Sequence, residues 1–202
     1  MLFDVTRSEL VDIFGEDRLA TIPAGAFPPA AADTEGARLL QHVGVPTGTL
    51  LLRQPDADDG LLPLVQDVVH LEESEDVPEG AGDWPVIGWL LDAHLALDPV
   101  SGTVHAFGPD EETVRELHTD VSSLVQVTLR LQRLLEEFTF GGDEEAEFER
   151  LDGEVDRIRA ETSSIDPLPF QDDESVWSVV ADEIAMGQRF KGDRPGARSL
   201  HG

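Results

Sequence analysis

Residues Trp84 to Phe107 constrain this chain most. A β-rich run from Trp84 to Leu97 is followed by Asp98-Pro99-Val100-Ser101-Gly102 and then by a second alternating run, Thr103 to Phe107. Two such runs around a Pro/Gly-bearing turn predict a β-hairpin. Pro99 presets its φ for a turn, and Gly102 can adopt a positive φ. Leu95 and Leu97 alternate with His94 and Ala96, which predicts one buried face and one wetter face. Loop-rich sequence precedes the hairpin and helical sequence follows it. The hairpin is therefore expected at the middle of a sheet on which the helices pack.

The flanks read as follows. Thr6-x-x-Glu9 is a capping-box pattern before Leu10, Val11, Ile13 and Phe14, with Gly15 as a left-handed stop. Leu19 to Ile22 is a candidate strand, and Ala24 to Ala32 is a loop. Thr34 is a candidate N-cap for a helix through Leu39, Leu40 and Val43, stopped by Gly44 and Pro46. Thr49–Leu52 and Leu61–Val65 read as two strands around an acidic turn, with Val68–Leu71 as another strand and Glu72–Asp83 as an exposed acidic loop. Val114–Asp120 fits strand or helix. Ser122 is the expected cap of a long helix carrying Leu124, Val127, Leu131, Leu134, Leu135 and Phe138 at helical spacing. Beyond Gly141–Asp143, Phe148, Leu151, Val155 and Ile158 form a second stripe. Asp172 or Asp173 is the expected cap of a last helix with Val176, Trp177, Val180 and Ile184 inward. The expected organisation is one domain over 1–187 and a flexible basic tail over 188–202 with Arg189, Lys191, Arg194 and Arg198. The fold class is α+β, with a central, mostly antiparallel sheet, flanking N-terminal helices and a C-terminal helical part.

Composition then narrows the function. At 202 residues and 40% hydrophobic, the chain can fill a core without staples. It contains no Cys, which removes disulfides, thiolate metal sites and thiol nucleophiles. The opening Met1-Leu2-Phe3-Asp4-Val5 lacks a basic n-region, and no apolar run is long enough to span a bilayer, so a cytoplasmic protein is expected. Asp and Glu number 42 against 14 Lys and Arg, a formal net charge of -28. Such a surface repels nucleic acid and anionic membrane and attracts basic proteins and cations. It fits a solubility or salt-adaptation surface, and it also fits an acidic face for a basic partner.

Candidate chemistry is sparse. No Gly-x-Ser-x-Gly, P-loop or Gly-x-Gly-x-x-Gly is present, so hydrolase and nucleotide readings have no motif behind them. A turn centred on Pro99-Val100 sets His94 opposite His105, with Asp92 on the same face, an arrangement for a divalent metal. Two solvated histidines on an outer sheet face are the simpler reading. Asp56-x-Asp58-Asp59-Gly60, with Asp67 beyond, echoes a calcium loop but lacks its late Glu, so an acidic turn is expected. No catalytic, cofactor-binding or metal-binding residue is assigned. Trp89 and Trp177 sit in apolar patterns that predict core, whereas Trp84, beside the acidic loop and before Pro85, is expected to be partly exposed.

In order, several pieces resemble the SUKH superfamily of immunity proteins, its fourth subgroup in particular. They are Val45-Pro46 after an N-terminal helix, Val86-Ile87-Gly88 opening the sheet, and Leu95-Ala96-Leu97-Asp98 followed by Ser101-Gly102-Thr103-Val104. Asp120-Val121-Ser122-Ser123-Leu124 at the start of the long helix and Ile165-Asp166-Pro167 before Trp177 complete the set. The resemblance runs from about Leu10 to Ile184. It implies an α+β fold and a non-enzymatic protein that binds and neutralises a cognate toxin, often a nuclease or a nucleic-acid deaminase. A non-catalytic regulatory or scaffold protein of the same fold is the alternative, and a metal-assisted hydrolase using Asp92, His94 and His105 is a second. With a basic toxin as partner, the expected contact residues are Asp56, Asp58, Asp59, Glu72, Glu73, Glu75, Asp76, Glu79, Asp83 and the anchor Trp84. No cofactor and no direct nucleic-acid or membrane contact is expected.

Overall fold

A computed structural model of the chain describes residues 1–48, 51–53, 55, 59–71, 77–108, 114–140 and 144–190. Its frame is an antiparallel sheet of β3 (Leu51–Leu52), β4 (Val86–Leu90), β5 (Ala93–Leu97), β6 (Val104–Phe107) and β7 (Val114–His118), hydrogen-bonded in that order. A separate two-stranded ribbon pairs β1 (Leu19–Ala20) with β2 (Val45–Pro46). Together with six α-helices among the described residues, this is the expected α+β architecture.

The expected central hairpin is β5–β6, but its register differs from expectation. His94 pairs with Phe107 and Ala96 with His105. The turn is centred one residue later than Pro99-Val100. Asp98 decides this: its carboxylate accepts from Val100 N (2.8 Å) and Ser101 Oγ (2.7 Å), and Gly102 N reaches Asp98 O with Gly102 at φ 83°. Upstream, the single expected run from Trp84 to Leu97 is two strands. Leu90 pairs with Ala93 across the two-residue turn Leu91-Asp92, where Leu91 takes φ 53°. No Gly or Asn marks that turn, so nothing in the sequence announced it.

One sheet face, with Leu95, Leu97, Val104, Ala106 and Leu117, belongs to the main core. Helices α1 (Arg7–Phe14), α2 (Glu35–His42), α4 (Val121–Glu137), α5 (Glu144–Ser163) and α6 (Val176–Ala185) also bury residues in it, as do loop residues such as Phe3, Ile22 and Phe27. The caps of α1 and α2 are those expected: Thr6 Oγ1 accepts from Glu9 N and Thr34 Oγ1 from Ala37 N. Two caps are corrected. Asp120, not Ser122, caps α4, and Ser175, not Asp172 or Asp173, caps α6. In each case the observed residue is extended and its side chain takes the N–H three residues on, whereas Ser122 lies inside the first turn. Leu124, Val127, Leu131 and Leu135 are buried along α4, and Leu151, Val155 and Ile158 along α5, as their spacing predicts.

The other sheet face is not simply wet. Val86, Ala96 and Phe107 pack with Val65, Val69, Ala81 and Trp84 in a second, smaller core. The covering segment contains α3 (Val65–Val68), so the expected strands at Leu61–Val65 and Val68–Leu71 are corrected. Leu64 makes only an isolated bridge to Pro85, and the Asp67 carboxylate takes Leu64 N (2.9 Å), closing a helical turn instead. At the other end, residues 188–190 fold back on α6. Phe190 packs on Phe138 and Phe140, and Arg189 pairs with Glu183. The rest of the expected tail lies outside the described residues.

Candidate functional site

The arrangement that most resembles catalytic machinery is His118 with Ser123 and Asp120. His118 Nδ1 lies 2.9 Å from Ser123 Oγ, and His118 Nε2 accepts the indole N–H of Trp177 at 2.6 Å. An indole nitrogen only donates, so Nε2 carries no proton, and in the neutral ring Nδ1–H donates to the serine. A histidine whose Nδ1–H faces the serine cannot act as its base. Burial pushes the His118 pKa down to about 3, against the opposing pull of Asp166 and Asp120. His118, Ser123 and Trp177 are all closed to solvent. The group is a polar lock between β7, α4 and α6.

Asp120 and Asp166 extend this lock. Burial works against the charge of Asp120. Hydrogen bonds from Ser122 Oγ, Ser123 N and Leu2 N, with the nearby N-terminal ammonium, outweigh it and hold the carboxyl below its usual range. The buried Asp166 carboxylate receives Thr119 N, Thr119 Oγ1 and Leu168 N at 2.9–3.2 Å, which ties the α5–α6 link to the start of α4. A buried carboxylate with several donors is a structural joint.

The expected metal trio does not assemble. His94 and His105 sit diagonally rather than opposite, because the β5–β6 register is shifted. His105 lies under Trp84, ring centroids 4.4 Å apart. Burial lowers the pKa of both histidines; Arg53 adds to this at His94, while Glu116 and Asp98 oppose it at His105. Among the described residues, no three His, Asp or Glu side chains are placed to share an ion. In the acidic turn, Asp59 accepts Leu61 N (2.9 Å), a turn contact, and Asp56 and Asp58 lie outside the described residues.

The expected contact residues divide in the same way. Asp59, Glu79 and Asp83 are exposed. Asp56, Asp58, Glu72, Glu73, Glu75 and Asp76 lie outside the described residues. Trp84 is a correction: it is only 5% exposed, packed against His105 and Phe107, and so is a core residue of the outer sheet face. Its position before Pro85 suggested a loop, but Ala81–Asp83 forms a helical turn that rolls the indole inward. Trp89, expected as core, is half-buried, with the Arg53 guanidinium 5.7 Å from its ring centroid. The cause is a register irregularity between Val86 and Gly88, which buries both Val86 and Ile87 and brings Trp89 onto the outer face. Trp177 is buried as expected.

Asp59, Glu79 and Asp83 give the described surface beside the small core an acidic character. Residues 5–183 match the model of the SUKH-4 immunity protein family. The chain belongs to the SUKH-4 immunity protein family. No curated protein and no solved structure matches it. Membership of the SUKH-4 family carries an immunity role and implies a cognate toxin as partner. The family pieces fall on joints of this fold: Val45-Pro46 is β2, Asp120 to Leu124 caps and starts α4, and Asp166 and Trp177 belong to the lock. No helix among the described residues is long and apolar enough to cross a membrane.

Proposed function

We propose that this SUKH-4 protein acts without catalysis, in the cytoplasm, by binding a basic, nucleic-acid-acting toxin and occupying its active cleft. The observation that carries this reading is the net charge of -28 on a chain of an immunity family. A nuclease or nucleic-acid deaminase needs a positive cleft for its substrate. An acidic protein is complementary to that cleft, is drawn to it at long range and competes with the substrate there. The contact residues in this reading are Asp59, Glu79 and Asp83 with Asp56, Asp58, Glu72, Glu73, Glu75 and Asp76. Trp84 is left out because it is a core residue.

The first test is capture of the partner by the tagged protein from its native host, with elution by salt and identification by mass spectrometry. The expected result is one basic toxin domain whose expression stops bacterial growth and whose effect the full chain reverses. Recovery of housekeeping proteins alone would move the protein to a regulatory role. With the toxin in hand, replacing the nine carboxylates by their amides should slow association and flatten its dependence on salt. Unchanged association kinetics would remove these residues from the interface.

A further inference from the structure

We propose that the groove between α4 and α5 is an interface with a second copy of this chain, in which the two α5 helices pack antiparallel about a two-fold axis. The groove measures about 510 Å³. Its floor is apolar, formed by Leu129, Leu134, Phe138 and Ile158. Its walls carry both signs of charge in balance. Arg130, Arg133, Arg150 and Arg157 stand against Glu9, Glu137, Glu154 and Glu161. The whole chain, by contrast, has 14 basic residues against 42 acidic ones. Two such chains repel each other over most approaches, and a balanced patch is where they can meet.

The order of the charges selects a second copy over another partner. Along α5 the wall reads Arg150, Glu154, Arg157 and Glu161, alternating in sign at spacings of four, three and four residues on one helical face. This row is self-complementary. Arg150 and Glu161 are equidistant from a point between Val155 and Asp156, and so are Glu154 and Arg157. An antiparallel two-fold through that point sets each arginine of one helix opposite a glutamate of the other, over about 16 Å of helix. A row of one sign would repel its own copy. The same axis brings the Ile165 end of one helix to the Phe140 end of the other. Both side chains are large, apolar and exposed, Ile165 at 48% and Phe140 at 41%.

The ion pairs within one chain do not oppose this contact. Arg150 holds Glu147, and Arg157 holds Glu154 and Glu161, each within a turn of the same helix. Exposed pairs of this kind contribute little in water, so sharing a carboxylate with an arginine of the second copy costs little. Between two copies water is excluded, and the same charges interact more strongly. Arg130 reaches from α4 to Glu161 at 3.3 Å, which fixes the two walls relative to each other before a second copy arrives.

The test is the mass of the full chain in solution, read by sedimentation equilibrium at high micromolar concentration and about 0.15 M salt. The wild-type chain should show twice the mass of a single chain. Arg150→Glu/Arg157→Glu makes the row all acidic, and Glu154→Arg/Glu161→Arg makes it all basic. Each variant alone should remain a single chain. Mixing the two should restore the doubled mass as a one-to-one pair, because their rows are then complementary. That restoration separates the contact from misfolding and from a change in net charge. A wild-type chain that stays single would overturn the proposal, even if it binds toxin through this groove. Doubled mass kept by both variants alone, or no recovery on mixing, would overturn it as well. The measurement contains no toxin, so its failure leaves the proposed function standing.

Discussion

His118 shows how one side chain can tie three segments together and set a pH limit. Its ring is neutral in the folded protein, with a pKa of about 3, and takes up a proton near the ordinary value of 6.5 once unfolded. Above 6.5 neither state is protonated and the stability from this site is complete. As pH falls from 6.5 toward 3, only the unfolded chain binds the proton, so stability declines by about 1.4 kcal/mol per pH unit from His118 alone. His94 and His105, lowered in the same direction by burial, steepen the decline. Urea denaturation at a series of pH values measures the slope; a flat profile between 6.5 and 5 would contradict the buried neutral ring. Trp177→Phe keeps most of the packing but removes the donor to His118 Nε2. It should cost about 1–3 kcal/mol in the same assay, the penalty of a buried unsatisfied acceptor.

Turns and strands carry the next set of expectations. Gly44 and Gly102 both have positive φ, 80° and 83°, but only Gly44 is enclosed. A Cβ at Gly44 would stand 2.3 Å from the Ala20 carbonyl oxygen in the β1–β2 ribbon, and one at Gly102 would meet nothing within 4 Å. Gly102→Ala should therefore cost about 1–2 kcal/mol, the backbone term alone. Gly44→Ala should cost clearly more, because the ribbon must also shift. Equal losses in thermal melts would show that the close approach is not felt. The tryptophans of β4 and its lead give a matching pair. Trp84→Ala empties the small core and should cost about 3–5 kcal/mol. Trp89→Ala, half-buried under Arg53, should cost about 1 kcal/mol. The reverse order would return Trp84 to the surface.

Taken whole, the molecule is a strongly charged body held together by two cores on opposite faces of one sheet. At a net charge of -28, self-repulsion opposes the compact state. Raising ionic strength from about 0.01 M to about 0.15 M shortens the screening length from about 30 Å to about 8 Å. The urea midpoint should rise over that range. A midpoint that falls would mean that ion pairs such as the partly buried Arg18–Glu136 and Arg159–Asp182 outweigh the repulsion. The proposed toxin recognition belongs to this scale too, because long-range attraction depends on the summed field more than on any one carboxylate.

Much of this architecture was legible in the chain. Helical spacing located α4, α5 and α6, short polar caps opened α1 and α2, and the Pro/Gly turn located the β5–β6 hairpin. These signals are local: each depends on residues within a turn or two of one another. The ordered family pieces were legible as well, and three of their residues, Asp120, Asp166 and Trp177, form joints of the fold. Tertiary structure decided what depends on distant partners. The register of β5 and β6 was set by how the Asp98 side chain ties the turn, and it parted His94 from His105. The Leu91-Asp92 turn carries no special residue and exists because β4 and β5 both bury their faces. Trp84 and Trp89 exchanged roles because a local irregularity and a covering segment, not alternation alone, determine which ring meets water. The sequence by itself determined the charge and the helical stripes, which are sums and periods along the chain. Only the folded sheet decided which polar groups face each other, because register joins residues that the sequence keeps apart.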